Sequence, residues 1–184
     1  MATSDTKSRI LRIARRMVQA RGYNALSFRD IAKEVGIKSA GVHHHFATKG
    51  DLGTALAREY CEEALRMLDA LSKANDDDKI TLDRYTQIFR AALIEDNRMC
   101  LCGIMAAEYQ DLPSEVRAEV ARFTRINVEW LTSMFAKGDD PAAARKALSV
   151  FAAIEGAQLV ARGRGDISVY DEAIRGYRAS GLLP

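Results

Sequence analysis

The chain has 184 residues, enough for one large domain or two smaller ones, and its composition is that of a globular protein. Its formal net charge of +2 does not by itself predict a charged partner. No apolar run approaches the roughly 18 residues of a membrane span, and the polar start MATSDTKSR is unlike a signal peptide. Together with an odd number of cysteines, three, these features predict reduced thiols and a cytoplasmic location.

Charge is distributed unevenly along the chain. Residues 1–52 hold ten Lys and Arg against four Asp and Glu, whereas the remainder holds 17 against 21. A basic end joined to an acidic body is typical of a nucleic-acid-binding module followed by a second domain. An uneven solvated surface is the simpler alternative.

Helical periodicity predicts an all-α chain of about nine helices without strands. The first helix is expected from about Thr6 to Arg21, before Gly22. Beyond a central stretch, helices are predicted over 49–72, 82–95, 104–109, 114–138, 142–162 and 168–181. The adjacent carboxylates Asp76, Asp77 and Asp78 lack the glycine and distant glutamate of a calcium loop. We therefore interpret them as a solvated helix cap and predict no metal site.

The stretch from Ser27 to Lys49 predicts two short helices joined by a tight turn. Ser27 is suited to cap the first helix, Gly36 to end it with a positive φ, and Ser39 to cap the second. Apolar residues recur at the spacing of one helix face in each, namely Phe28, Ile31, Ala32 and Val35, then Val42 and Phe46. The opposite side of the second helix carries small residues and imidazoles. This pattern predicts a helix-turn-helix whose second helix enters a DNA major groove.

Ten residues of this stretch are predicted to contact DNA, because small residues allow close approach and polar tips reach phosphates or base edges. They are Ser27, Arg29, Lys38, Ser39, Ala40, Gly41, His43, His44, His45 and Lys49. A lysine in the first turn of a helix, as at Lys49, is best explained by a phosphate in front of it. Successive histidines on a helix point about 100° apart, so zinc is not predicted, and neither is any cofactor.

With the helix before it, this stretch resembles the DNA-binding domain of TetR/AcrR-type transcriptional regulators over about residues 8–56. The matching residues are Arg21-Gly22-Tyr23, Ser27, Ile31-Ala32, Gly36, Val42-His43-His44-His45-Phe46, Thr48-Lys49 and Leu52. The chain departs from the family pattern at His43, Gly41, Ala47 and Gly50, where Tyr, Thr or Ser, Pro and Glu are usual.

The resemblance implies a helix-turn-helix DNA-binding domain over 1–48 and a ligand-binding and dimerisation domain over 49–184. It implies a homodimer paired through the last two long helices, where small residues such as Ala152 and Gly156 allow close packing. A twofold dimer predicts an inverted-repeat operator.

By the same resemblance, the function would be that of a DNA-binding repressor released by a small-molecule effector. Bulky apolar and sulfur-containing residues of the body form the candidate pocket wall: Phe89, Met99, Cys102, Met105, Tyr109, Phe123, Trp130, Met134 and Phe151.

Two alternatives remain open. Cys100 and Cys102, with Arg98 nearby, could form a thiol sensor of electrophiles, since Cys-Leu-Cys-Gly followed by Ala-Ala-Glu is similar to a subgroup with electrophile- and acrylate-responsive members. A helical-bundle enzyme could use Cys102 or Glu108. The only histidines lie in the triplet, with no nucleophile elbow or phosphate loop beside it, so we predict that the chain is not an enzyme.

Overall fold

The computed structural model describes residues 2–74, 77–136 and 141–183. Over these residues the chain is all-α and contains no strand, which confirms the predicted fold class. The described helices are α1 (Ala2–Arg21), α2 (Phe28–Val35), α3 (Ser39–His45), α4 (Lys49–Lys73), α5 (Asp78–Ile94), α6 (Leu101–Ala107), α7 (Ser114–Phe135), α8 (Pro141–Arg164) and α9 (Ser168–Ala179). Short 3-10 turns cover Tyr23–Ala25 and Tyr109–Asp111. None of these helices is both long and apolar enough to cross a bilayer.

Some helices begin or end away from their predicted limits. The start of α5 lies four residues earlier than predicted, because the carboxylate of Asp77 accepts the Ile80 N–H at 2.8 Å and caps the helix. Asp77 is therefore an exposed helix cap, as predicted, and Asp76 lies outside the described residues. The expected helix end at position 138 also lies outside them. The helix predicted from residue 104 begins at Leu101.

The first compact unit comprises Met1–Cys61 and Leu101–Arg122. Its core combines the apolar stripe of α1 with the inward faces of α2, α3, α6 and the adjoining parts of α4 and α7. Fully buried side chains include Ile10, Ala14, Val18, Ile31, Val42, Leu52, Leu101, Met105 and Val116. Arg9 donates to the carbonyl of Val35 at 2.8 Å, and Arg16 pairs with Glu34, so α1 holds the end of α2.

The second compact unit comprises Glu62–Cys100 and Phe123–Pro184. Its buried side chains include Tyr85, Leu131, Val150, Ile154, Gln158, Ala161 and Tyr170. Arg90 forms a bidentate pair with Asp171, at 2.7 and 2.9 Å, and thereby ties α5 to α9.

These compact units do not coincide with the predicted functional domains. The division falls inside α4, after Cys61, and inside α7, after Arg122, so that α6 belongs to the same unit as α1 to α3. The reason is that the start of α4 and all of α6 supply core side chains to the N-terminal helices. The division of function into 1–48 and 49–184 stays a prediction.

Candidate functional site

The helix-turn-helix is built by local signals that act within one or two helical turns. Ser27 is the N-cap of α2, and its hydroxyl accepts the Asp30 N–H at 3.2 Å. Gly36 ends α2 in the left-handed region, with φ of 79°, and the Ile37 N–H then bonds the Ala32 carbonyl at 3.0 Å. This geometry redirects the chain sharply into α3.

The first residues of α3 differ from the prediction. Lys38, not Ser39, is the N-cap, and no side chain caps the helix. The expected capping role of Ser39 is therefore wrong. Ser39 is the first helical residue, and its side chain is exposed together with those of Lys38 and Ala40.

One side of α3 is buried and the other faces outward. Val42 is fully buried and Phe46 nearly so, whereas His43 and His44 are exposed and His45 and Gly41 are half-buried. Arg29 is exposed on α2, and Ser27 is half-buried. Six of the ten residues predicted to contact DNA thus lie on α3, Lys38 is its N-cap, and Ser27 and Arg29 lie at the start of α2. An outward-facing polar side on a short helix is the arrangement that a groove-inserted helix requires.

His43 is held by two neighbours. Its ring lies 4.7 Å from that of Phe28, and its Nδ1 lies 3.3 Å from the Ala47 carbonyl. Because a carbonyl can only accept, this bond places a proton on Nδ1. Nε2, on the opposite edge of the ring, is then the atom available to a partner. His44 and His45 rings meet edge to face at 5.4 Å.

Lys49 differs from the other nine. Its ammonium donates to the Asn24 carbonyl at 3.1 Å and lies 4.7 Å from the centre of the Tyr23 ring. Burial lowers its pKa, while the charges of Glu108 and Asp111 act in the opposite direction. The side chain therefore faces an internal contact of the first unit, and its role at a phosphate stays a prediction.

The first turn of α4 also carries its own cap. Thr48 and Asp51 bond reciprocally: the Thr48 N–H donates to the Asp51 carboxylate at 2.9 Å, and the Asp51 N–H donates to the Thr48 hydroxyl at 3.0 Å. A capping box of this kind occupies one of the helix N–H groups that we expected a phosphate to bind.

Glu108 is a structural residue that sequence reasoning placed only in an enzyme alternative. Its carboxylate accepts the backbone N–H groups of Tyr23 and Asn24, the latter at 3.2 Å. Gly22 lies against it with φ of 88°, and a Cβ there would come within 2.5 Å of a Glu108 oxygen. The glycine after α1 was the only local signal of this contact, because the partners are more than 80 residues apart. Since these bonds engage Glu108, they do not favour a catalytic role for it.

The nine residues predicted to line a ligand pocket are divided between the two compact units, and their role in a pocket stays a prediction. Cys102, Met105 and Tyr109 belong to the first unit, and Tyr109 is exposed beneath the Arg117 guanidinium, 4.6 Å from its ring centre. The other six belong to the second unit: Phe89, Met99, Phe123, Trp130, Met134 and Phe151.

Four of these six, with Tyr85, form an aromatic cluster in the second unit. The centre of the Phe89 ring lies 5.3 Å from that of Tyr85 and 6.4 Å from that of Phe151. The Phe123 and Phe151 ring centres are 6.2 Å apart, and those of Trp130 and Tyr85 are 5.0 Å apart. These spacings are typical of interacting rings in an apolar interior.

Neither cysteine of the proposed sensor is accessible. Cys100 and Cys102 are both buried and reduced. Arg98, expected to activate them, is paired with Asp96 and Glu95 at 2.7 and 3.2 Å. One ionisable group that interacts with Cys100 is the carboxyl of Glu155, whose negative charge when ionised would disfavour a thiolate. These observations do not favour the thiol-sensor alternative.

Glu155 itself was missed by the sequence analysis. It lies on α8 within the second unit, and burial raises its pKa from an ordinary 4.5 to about 7, partly opposed by a side-chain hydrogen bond with Cys100. A glutamate between Ile154 and Gly156 on a largely apolar helix was the available signal.

Comparison with known proteins agrees with the geometry of the first unit. Residues 10–56 match the family described as bacterial regulatory proteins, tetR family. A TetR transcriptional regulator from Legionella pneumophila is 29% identical with a TM-score of 0.87, and one from Agrobacterium tumefaciens is 30% identical with a TM-score of 0.87. Each similarity covers 95% of this chain and 96% of the other.

A curated relative matches over part of the chain. The HTH-type nicotine-responsive transcriptional repressor HdnoR of Paenarthrobacter nicotinovorans is 26% identical over 96 residues, which are 52% of this chain. The match spans half the length of that relative.

Proposed function

Because the chain belongs to the TetR family of transcriptional regulators, we propose that it is a sequence-specific DNA-binding repressor that a small-molecule effector releases from its operator. The observation that carries this proposal is the outward side of α3. A short helix anchored by Val42 presents His43 and His44 to solvent, in the basic half of the chain. Such a helix can enter a major groove and reach phosphates and base edges.

We assign the DNA contacts to the residues of this exposed surface. Lys38 and Arg29 bring positive charge, Ser39 and Ala40 allow close approach, and His43 and His44 provide ring nitrogens. Lys49 would contribute only if its ammonium left Asn24 and Tyr23. In this assignment the DNA-binding domain is 1–48, and residues 49–184 bind effector and partner.

The active form in this proposal is a homodimer formed through α8 and α9. The support is an apolar stripe on α8: Leu148 and Leu159 are 54% and 58% exposed, and Ala152 and Gly156 lie between them at helical spacing. A Cβ at Gly156 would meet no atom within 4 Å. Exposed leucines flanking small residues suit a second copy of the same helix, and a twofold dimer would bind an inverted repeat.

The effector is expected in the second unit, against the aromatic cluster. The nicotine-responsive relative supports a small organic effector for this chain. Release then requires that the effector bind the DNA-incompetent conformation more tightly than the competent one.

The test begins by selecting duplexes from a random pool and measuring affinity by fluorescence anisotropy at several salt concentrations. We expect an inverted repeat, and binding that weakens steeply with salt. His44→Ala should weaken specific binding by about fivefold or more, since a lost base or phosphate contact costs about 1–3 kcal/mol.

Matched controls come from the second unit. Gln87→Ala removes an exposed polar side chain from a helix, as His44→Ala does, and should leave affinity unchanged. Likewise Lys38→Ala should lower the salt slope by about one, whereas Lys79→Ala should not. Binding that is indifferent to His44 and Lys38, or that is equal for single-stranded and double-stranded DNA, would contradict the proposal.

A further inference from the structure

Glu155 is a buried acid without the partner that such a group needs. Neither of its carboxylate oxygens has exposed surface, and neither has a hydrogen-bond partner of ordinary geometry among the described residues. The Cys100 thiol interacts with the carboxyl and partly opposes the rise of its pKa on burial, but the contact does not have the geometry of an ordinary hydrogen bond. Burying a carboxyl in this way costs several kcal/mol of hydration when nothing replaces the water.

The polar groups around it are, by contrast, satisfied. Gln158 accepts the Cys100 N–H at 2.9 Å and donates to the Phe89 carbonyl at 2.7 Å. The Tyr85 hydroxyl donates to Asn127 at 2.9 Å, and the Tyr170 hydroxyl donates to the Thr86 carbonyl at 2.8 Å. Among the described residues of the second unit, the carboxylate oxygens of Glu155 are therefore the buried side-chain polar atoms that lack a hydrogen-bond partner.

Two arginines, Arg90 and Arg178, oppose the rise that burial and Glu155 cause in the pKa of Tyr170, but each is paired with another carboxylate. Arg90 holds Asp171 at 2.7 Å, and Arg178 pairs with Asp83. No cation is among the groups that act on the ionisation of Glu155. A positive charge that neutralises this carboxylate would therefore have to come from outside the described part of the chain.

Aromatic rings lie near the carboxylate. Burial and the charge of Glu155 raise the pKa of Tyr85, whose ring centre lies 5.3 Å from that of Phe89, edge to face, and 5.0 Å from that of Trp130. Phe151 lies one turn before Glu155 on α8, and its ring centre is 6.4 Å from that of Phe89. Ring faces attract cations, and Tyr and Trp do so most strongly in a dry site.

We propose that Glu155 is the counter-charge for a protonated organic amine, which the aromatic cluster binds as the effector of this protein. The proposal rests on the proposed function, in which the second unit binds a small-molecule effector. One carboxylate, no neighbouring cation among the described residues, and several ring faces select an organic cation over an anion or a neutral compound. A metal ion is a poorer match, because no three His, Cys, Asp or Glu residues converge within the described ranges.

Intrinsic fluorescence tests this directly. Trp130 is the only tryptophan, and its ring lies 5.0 Å from Tyr85, so an occupant of the cluster should change its emission. The full-length protein is titrated at pH 8 with 2-phenylethylamine, its neutral analogue 2-phenylethanol and the anion phenylacetate, and the affinities are checked by calorimetry.

We expect the amine to bind the protein more tightly than either analogue. Glu155→Gln should weaken amine binding by at least about tenfold and leave 2-phenylethanol binding unchanged, because the pair to be broken is a desolvated one. Glu172→Gln removes the same charge from an exposed position on α9 and should change amine affinity less than twofold. Circular dichroism verifies that both variants are folded.

Three results would overturn the proposal: unchanged amine affinity in folded Glu155→Gln, equal or tighter binding of an analogue, or no amine binding at millimolar concentration. Duplex binding without amine is measured on the same samples. If the natural chain binds duplex but not the amine, this inference alone is overturned, whereas a natural chain that binds the amine but not duplex would overturn the repressor function alone.

Discussion

Replacing Glu155 by glutamine should stabilise the ligand-free protein, and increasingly so as pH rises. The folded carboxyl has a pKa of about 7, against 4.5 for an ordinary glutamate. Below pH 4.5 both folded and unfolded chains hold the proton, so the group contributes nothing. Between 4.5 and 7 only the unfolded chain ionises, and stability falls as pH rises; above 7 the full penalty is present.

The size of this penalty follows from the two pKa values. At 1.36 kcal/mol per pKa unit, the separation corresponds to about 3 kcal/mol. Glutamine keeps the shape and cannot ionise, so the stability gain of Glu155→Gln over the natural chain should grow by about that amount between pH 4.5 and pH 8. For a chain of this size, it corresponds to roughly 6–12 °C in Tm.

Urea denaturation followed by Trp130 fluorescence measures the difference, at one fixed protein concentration because association also stabilises the folded state. Glu172→Gln, an exposed change of the same charge, should show no such growth. A gain that is independent of pH, or a variant less stable than the natural chain at pH 8, would refute the assignment of Glu155 as a buried acid without a stabilising partner.

Two further changes test the first unit and the proposed dimer. Gly22→Ala should destabilise by about 1–3 kcal/mol, because φ is positive and the new Cβ would meet the Glu108 carboxylate at 2.5 Å. Thermal melts measure this loss. In the same melts the control Gly163→Ala should be neutral or stabilising, because it adds a Cβ at a helical position with no atom within 4 Å. Leu159→Lys should convert a dimer to monomer in analytical ultracentrifugation and abolish operator binding. The matched change Ile94→Lys, at another exposed aliphatic residue, should do neither.

Much of the helix-turn-helix could be predicted because its signals are local. Ser27 caps α2 through a bond to a residue three positions later, and Gly36 ends the helix through its own φ. The burial of Val42 and the exposure of His43 and His44 follow from helical periodicity alone. Even here a local signal could mislead: Ser39 has the right residue type for a cap, but the helix begins one residue too early for it to serve.

The candidate effector site could not be predicted in the same way. Bulk and the family resemblance identified Phe89, Phe123, Trp130 and Phe151 as pocket candidates. They could not show that these residues share a unit with Glu155 while Met105 and Tyr109 do not. Bulk and apolar character are properties of one residue. Membership of a particular cluster depends on which helices pack together, and those lie dozens of residues apart.

The amino-acid sequence by itself determined the all-α class, the Ser27 cap and the Gly36 turn of the helix-turn-helix, and which side of α3 faces solvent, since each depends on neighbours within about two helical turns. Only the tertiary structure decided that Glu108 binds the backbone at Tyr23, that the Lys49 ammonium bonds the Asn24 carbonyl, and that the Glu155 carboxylate is buried without a counter-charge among the described residues. The physical reason is that the free energy of a charged side chain depends on the groups that replace its water, and distant parts of the chain supply those groups.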